Sequence, residues 1–236
     1  MPLQQTSGNV TQDAYGGGKA VVPTYVENVF STYLYTGTGA TQNINNGIAE
    51  STSGALTWIK TRSAGSYSNV LFDTVQGAGN YLISNNTYGQ NYLGAAPDSL
   101  SSFNSNGFSL GADTQLGYVN LTGNTYASWT FRKQPKFFDI QTWTGTGSAM
   151  TISHNLQSVP GCIIVKRTDS LSQWYTYHQS LNGGVNPEQY YVNLCATSPQ
   201  AGPGATLWNG TPPTSTVFSV NGAETCLLYT SPSPRD

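Results

Sequence analysis

Charge is scarce in this chain. Of its 236 residues, 8% are Asp, Glu, Lys or Arg, against roughly a quarter in average soluble proteins. The formal net charge is −2, so there is no basic footprint and nucleic acid is not an expected partner. Histidine occurs twice and cysteine three times, too sparsely for a His- or Cys-built metal centre, and no loop has EF-hand spacing. No cofactor or metal is expected. No run of about 18 apolar residues exists, so membrane insertion is not expected either. The start, Met1 to Thr6, lacks the apolar core of an export signal. The stretch Tyr15-Gly-Gly-Gly-Lys19 lacks phosphate-loop spacing, and neither a nucleophile elbow nor an HExxH pair occurs. Asp73, Asp98, Asp113, Asp139, Asp169 and Glu188 are scattered singly, whereas glycoside hydrolysis needs two facing carboxylates. The chain is not expected to be an enzyme.

What is present is glycine (26 residues), tyrosine (15) and a 12% share of aromatics, enough to build cores despite the polar background. The chain also repeats itself. Tyr33-Leu-Tyr-Thr-Gly-Thr-Gly39 returns as Gln141-Thr-Trp-Thr-Gly-Thr-Gly147, and Leu56-Thr-Trp-Ile-Lys-Thr-Arg62 as Cys162-Ile-Ile-Val-Lys-Arg-Thr168. Phe108-Ser-Leu-Gly111 then returns as Phe218-Ser-Val-Asn221, in the same order. A repeat this long is two copies of one small domain rather than a solenoid. Such a layout is commoner in binding and structural proteins than in single-site enzymes.

Short β-patterned runs split by Gly, Asn and Ser fill copy one: 29–35, 55–62, 69–74, 80–84, 107–110 and 126–131. No segment sustains a helical period. The expected fold is all-β, two tandem antiparallel β-sandwich domains of jelly-roll type. A flexible lead-in is expected over 1–24, domain one over 25–137, and domain two over 138–225. The basic joint Arg132-Lys-Gln-Pro-Lys136 is short enough for the domains to touch. In 126–131 the alternation puts Ala127, Trp129 and Phe131 on a buried face, with Ser128, Thr130 and Arg132 wet.

Residues 226–236, Cys226-Leu-Leu-Tyr-Thr-Ser-Pro-Ser-Pro-Arg-Asp236, resemble a translated sequencing-library adapter and are expected to be foreign to the natural protein. Domain two would then lack its last native strand. Residues 226–230 are nevertheless β-prone and arrive where copy one has Tyr126–Phe131, and they are expected to add a surrogate strand beside Phe218–Val220. Residues 231–236, rich in proline, are expected to stay outside any ladder.

Aligning the copies sorts the binding candidates. Val70 and Phe72 match Tyr175 and Tyr177, apolar in both copies and read as core. On the opposite face Asn69 and Asp73 give way to Trp174 and His178, a Trp–His pair suited to stacking on sugar C–H surfaces and bonding hydroxyls. Covering the neighbouring domain is the alternative for both. Trp129 and Trp143 read as structural, and Trp208 as the exposed aromatic. Cys162 takes the place of Leu56 and reads as a small core residue, with a Cys162–Cys195 disulfide as the alternative. Lys166 to Asp169 reads as a solvated strand end.

The run Thr151-Ile-Ser-His-Asn-Leu-Gln-Ser-Val-Pro-Gly161, followed by 163–169 and Trp174-Tyr-Thr-Tyr-His178, resembles a domain family of tailed bacteriophages. Residues 13–18 and the joint 126–139 resemble it too. The resemblance implies a tail-associated virion protein with concanavalin- or laminin-G-like domains, released on lysis, and it carries over no catalytic residues. The expected function is structural, with host-surface glycan contact. Expected partners are other virion tail proteins, a host glycan and further copies of the chain, as a homo-oligomer such as a trimer. A polysaccharide-degrading tailspike and a pure spacer are the alternatives.

Overall fold

The computed structural model describes residues 24–63, 65–203 and 206–221, together with the backbone of 226–232. The expected lead-in, apart from Thr24, and residues 233–236 lie outside the described residues. Module one contains β1 (Phe30–Thr36), β2 (Gln42–Ile44), a one-turn helix α1 (Glu50–Ser53), β3 (Ala55–Thr61), β4 (Val70–Asp73), β5 (Leu82–Ile83), β6 (Leu100–Asn104), β7 (Gly107–Leu110) and β8 (Thr125–Arg132). Module two contains β9 (Asp139–Trp143), β10 (Met150–Ser153), β11 (Pro160–Arg167), β12 (Trp174–His178), β13 (Val192–Asn193), β14 (Val217–Val220) and β15 (Cys226–Pro232). Every strand pairing is antiparallel, and the chain is all-β. No described helix is long and apolar enough to cross a membrane.

The halves repeat each other strand for strand except at β6. Module one has a five-stranded sheet β1-β8-β3-β4-β5 facing a three-stranded sheet β2-β7-β6. Module two has β9-β15-β11-β12-β13 facing β10-β14. Registers agree as well: Leu56 faces Asp73 as Cys162 faces His178, and Ile44 faces Phe108 as Ile152 faces Phe218. The short strands β2 and β6 were not legible as strands in the sequence. Among the described residues no strand of module two answers to β6. There the amide of Asn221 bonds the carbonyl of Leu207, as Gly111 bonds Ser99 in module one. A 3₁₀ turn over Thr206–Trp208 therefore stands where β6 stands in its counterpart.

Two expectations about the chain end need correction. Residues 226–232 do form a strand, but not beside Phe218–Val220. β15 lies in the larger sheet, between β11 and β9, with Ile164 opposite Tyr229 and Tyr229 opposite Ile140. That is the place β8 holds in module one. Ser231 and Pro232, expected outside the ladder, pair with Cys162 and Pro160.

Three apolar cores run through the four sheets. The first, between the sheets of module one, holds Ile44, Ile59, Phe72, Phe108 and Tyr126. The second, inside module two, holds Ile152, Ile163, Tyr177, Trp208 and Phe218. The third joins Leu56, Leu71 and Leu82 to Phe138, Ile140 and Trp174, so the two large sheets pack face to face across the modules. This third core reverses the expectation for β8. Its inward residues are Tyr126, Ser128 and Thr130, all fully buried, while Trp129 and Phe131 lie half-buried on the outer face. Period-2 alternation separates the faces of a strand but does not say which is wet when both are covered. The polar inner residues are satisfied: Asn46 Nδ2 donates to Thr130 Oγ1 at 2.9 Å and to Glu50 Oε1 at 3.1 Å, and Thr57 Oγ1 donates to Glu50 Oε2 at 2.9 Å.

The seam between modules is hydrogen-bonded along the β5–β6 loop. Trp174 Nε1 donates to the carbonyls of Ile83 (2.9 Å) and Asn86 (3.0 Å). Lys166 Nζ donates to Thr87 O at 3.0 Å and Ser172 O at 2.8 Å. The amide of Gln90 reaches Thr168 O at 2.7 Å, and that of Ser172 reaches Thr87 O at 2.9 Å. Gly89 is required here, since a Cβ would meet Thr168 O at 2.8 Å. In the joint, Lys133 Nζ bonds the buried Asp139 carboxylate at 3.1 Å.

Candidate functional site

A cleft of about 370 Å³ opens on the outer face of the large sheet of module one, bordering the seam, lined by Trp58, Lys60, Asn69, Trp129 and Phe131. The strand ladder builds it. Trp58 on β3 is directly opposite Trp129 on β8, and Leu56 opposite Phe131. The two indoles meet edge to face, centroids 6.4 Å apart at 71°, a geometry in which one ring's edge faces the other's π-cloud. Lys60, on the same face as Trp58, donates its ammonium to the carbonyl of Tyr67 at 2.6 Å, clasping the β3–β4 loop. Asn69 precedes β4. Its amide bonds Asn85 Oδ1 at 2.8 Å and its carbonyl accepts from Ser84. Its own Oδ1 is buried and has no hydrogen-bond partner among the described residues. An unmet buried acceptor costs about 1–3 kcal/mol.

The cleft has a counterpart that is closed. By register, Lys60 and Asn69 match Lys166 and Trp174 of module two, and Trp58 matches Ile164. Lys166 repeats the clasp of Lys60, holding Ser172 O as Lys60 holds Tyr67 O. At that position in module two the surface is spent on the seam; in module one it stays open.

The residues read as binding candidates do not assemble into one site. Asn69 lines the cleft. Asp73 is fully buried, taking the amides of Val75 and Gln76 on Oδ1 at 2.9 Å each, and turns the chain after β4. Trp174 and His178 do lie on the face opposite Tyr177, but Trp174 is 0% exposed in the seam. The expectation that it stands open is corrected, and covering the neighbouring module is what it does. His178 is exposed, its Nδ1 accepting from the amide of Ser180 at 3.1 Å. Trp208, expected to be exposed, is 3% exposed: its ring packs edge-on against Tyr177 at 5.9 Å and its N–H bonds Tyr190 O at 3.0 Å. Lys166, read as solvated, is wholly buried.

Cys162 and Cys195 are free thiols. Burial pushes the Cys162 thiol up to about 11, and Cys195 Sγ donates to Gln173 Oε1 at 3.0 Å. Among the described residues no group of three or more His, Cys, Asp or Glu is placed to hold a metal ion. Behind the cleft, on the inner face of β3 and β8, burial lifts the Glu50 carboxyl to about 7, only partly opposed by its bonds to Thr57 and Asn46. What the cleft offers is flat aromatic surface, one cation and the Asn69 side chain, a set suited to reversible binding.

A family profile described as a domain of unknown function (DUF7483) matches residues 26–230. The chain belongs to the DUF7483 family. The match begins just before β1, runs through both modules and includes residues 226–230 of β15, so this family takes in the tandem rather than one sandwich. No curated protein matches the chain.

Proposed function

We propose that this DUF7483 protein is a tail-associated phage virion protein whose first module contacts host-surface carbohydrate. The observation that carries the binding half is the Trp58–Trp129 cleft, lined also by Lys60, Asn69 and Phe131. Indole faces stack on the apolar C–H surfaces of a sugar ring, while Asn69 and Lys60 meet its hydroxyls. Single contacts of this kind are weak, and repetition of the chain in a fibre multiplies them. The virion half rests on the sequence resemblance over 151–178 and the joint.

A glycan array probed with the intact chain, followed by titration of any hit, tests the binding. Trp58→Ala and Trp129→Ala are each expected to weaken Kd about 5- to 100-fold, the equivalent of about 1–3 kcal/mol. Asn69→Ala is expected to cost less, about 1 kcal/mol, since its side-chain amide supplies at most one bond. Unchanged affinity in both tryptophan variants would rule the cleft out. Mass spectrometry of purified virions tests the location.

A further inference from the structure

We infer, building on the carbohydrate reading of the cleft, that its ligand is an extended uncharged saccharide whose chain continues from the Trp58–Trp129 cleft onto a strip of tyrosines, Tyr67, Tyr118, Tyr92 and Tyr88. The strip crosses three loops at one end of module one. Tyr67 in the β3–β4 loop lies against Tyr118 in the β7–β8 loop, ring centroids 5.8 Å apart. The hydroxyl of Tyr118 is 3.2 Å from that of Tyr92 in the β5–β6 loop. Tyr92 in turn stacks on Tyr88, centroids 4.0 Å apart and planes 9° from parallel. All four rings are half-buried, each keeping part of its surface open. The strip joins the cleft through Lys60, which lines the cleft and bonds the carbonyl of Tyr67.

Two observations select the ligand. The first is charge. Residues 63–69, 84–97 and 115–125, which carry the strip, hold no charged side chain. Four charged residues border it: Arg62 is exposed at the start of the β3–β4 loop, Lys60 is held on the carbonyl of Tyr67, Asp113 is fully buried and takes the amides of Val119 and Asn120, and Asp98 takes the amide of Thr114. A polyanion finds no counter-charge on the strip itself, whereas a neutral sugar finds ring faces and hydroxyls together. The second is rigidity. The β5–β6 loop is pinned to module two through Gln90, Gly89 and Thr87, and Asn91 Oδ1 fixes the amide of Tyr81 at 2.9 Å. Rings already held in place cost little to order on binding. The hydroxyls of Tyr67 and Tyr88 make no hydrogen bond to another described residue, which leaves them to a ligand. The cleft alone, near the lower end of the small-molecule pocket range of about 300–1,000 Å³, holds only the end of such a chain.

The experiment titrates one neutral glycan from the array as a ladder from disaccharide to hexasaccharide, by calorimetry, against the intact protein. Affinity is expected to rise about tenfold or more with length. Tyr88→Ala and Tyr67→Ala, at the ends of the strip and away from the sandwich core, are expected to shrink that gain several-fold. Tyr67→Phe and Tyr88→Phe should keep most of it if ring stacking dominates. Trp58→Ala should weaken every length alike. Affinity independent of length, or tyrosine variants that weaken short and long chains equally, overturns the strip while leaving the cleft standing. Recognition confined to charged glycans, or stronger binding of a single-stranded oligonucleotide through the same tyrosines, overturns the neutral saccharide. Absence of binding to every glycan overturns the cleft reading and the strip with it.

Discussion

Glu50 is a carboxylic acid enclosed in polar company rather than paired with a cation. Asn46, Thr57 and Thr130 surround it, and the residue is fully buried. Its folded pKa of about 7 is raised above its ordinary 4.5, so its contribution is fully present below the ordinary value and is lost as pH rises through the folded one. Module one is therefore expected to lose about 3 kcal/mol of stability between roughly pH 4.5 and 7 from this group alone. Glu50→Gln should flatten that segment of a plot of denaturant midpoint against pH; an unchanged slope would assign the titration elsewhere. Asp139 acts with the opposite sign. Burial works against its ionised form, but the Asn155 amide, Gln141 and Lys133 hold its pKa below the usual carboxylate range. Its contribution is lost as pH falls. Trp174 offers a test without titration: removing a buried indole costs about 3–5 kcal/mol, so Trp174→Ala should destabilise the chain by that much in urea melts. Trp129→Ala, removing a half-buried ring from the cleft wall, should cost clearly less.

Among the elements, β8 and β15 correspond: each lies between the first strand of its module and β3 or β11. A chain ending at Asn221 removes the strand between β9 and β11 and leaves both with unpaired amides and carbonyls. Such a protein is expected to keep the melting transition of module one and lose that of module two, as hydrogen exchange resolved by segment would show. Much of this level was legible in the sequence. Glycine-bounded alternation located β1, β3, β4, β7 and β8, and the repeated motifs aligned β3 with β11 and β7 with β14. The sequence did not disclose which face of β8 looks inward, because Ala-x-Trp-x-Phe serves a seam as well as it serves a sandwich interior. Nor did it disclose Trp208, whose turn replaces a strand with no sequence mark of the exchange. Trp174 was chosen for the right face and the wrong neighbour: a period of two cannot tell solvent from another module. Lys60 carried no signal and Phe131 read as interior with Trp129; only the ladder brings the β3 pair Trp58 and Lys60 beside the β8 pair Trp129 and Phe131.

At the scale of the whole molecule, the two large sheets share an apolar core, so neither module presents the surface it would have alone. Residues 25–137 expressed by themselves would bare Leu56, Leu71 and Leu82, and are expected to bind an apolar dye that the intact chain does not. A fragment that stays monomeric and dye-free would show the seam to be incidental. The same connectivity also sets a timetable. In each module the first strand is held in its sheet by the last: Phe30 waits for Phe131, and Asp139 for Thr230. At synthesis rates of about 5–20 residues per second, β1 remains without its neighbour for roughly 5–20 s after it is made. Contacts this distant in sequence place folding toward the slow end, about milliseconds to seconds once the chain is complete. Each sandwich thus closes from its finish, and a ribosome that stalls before β8 leaves an open seven-residue strand, Phe30–Thr36, waiting in the cell.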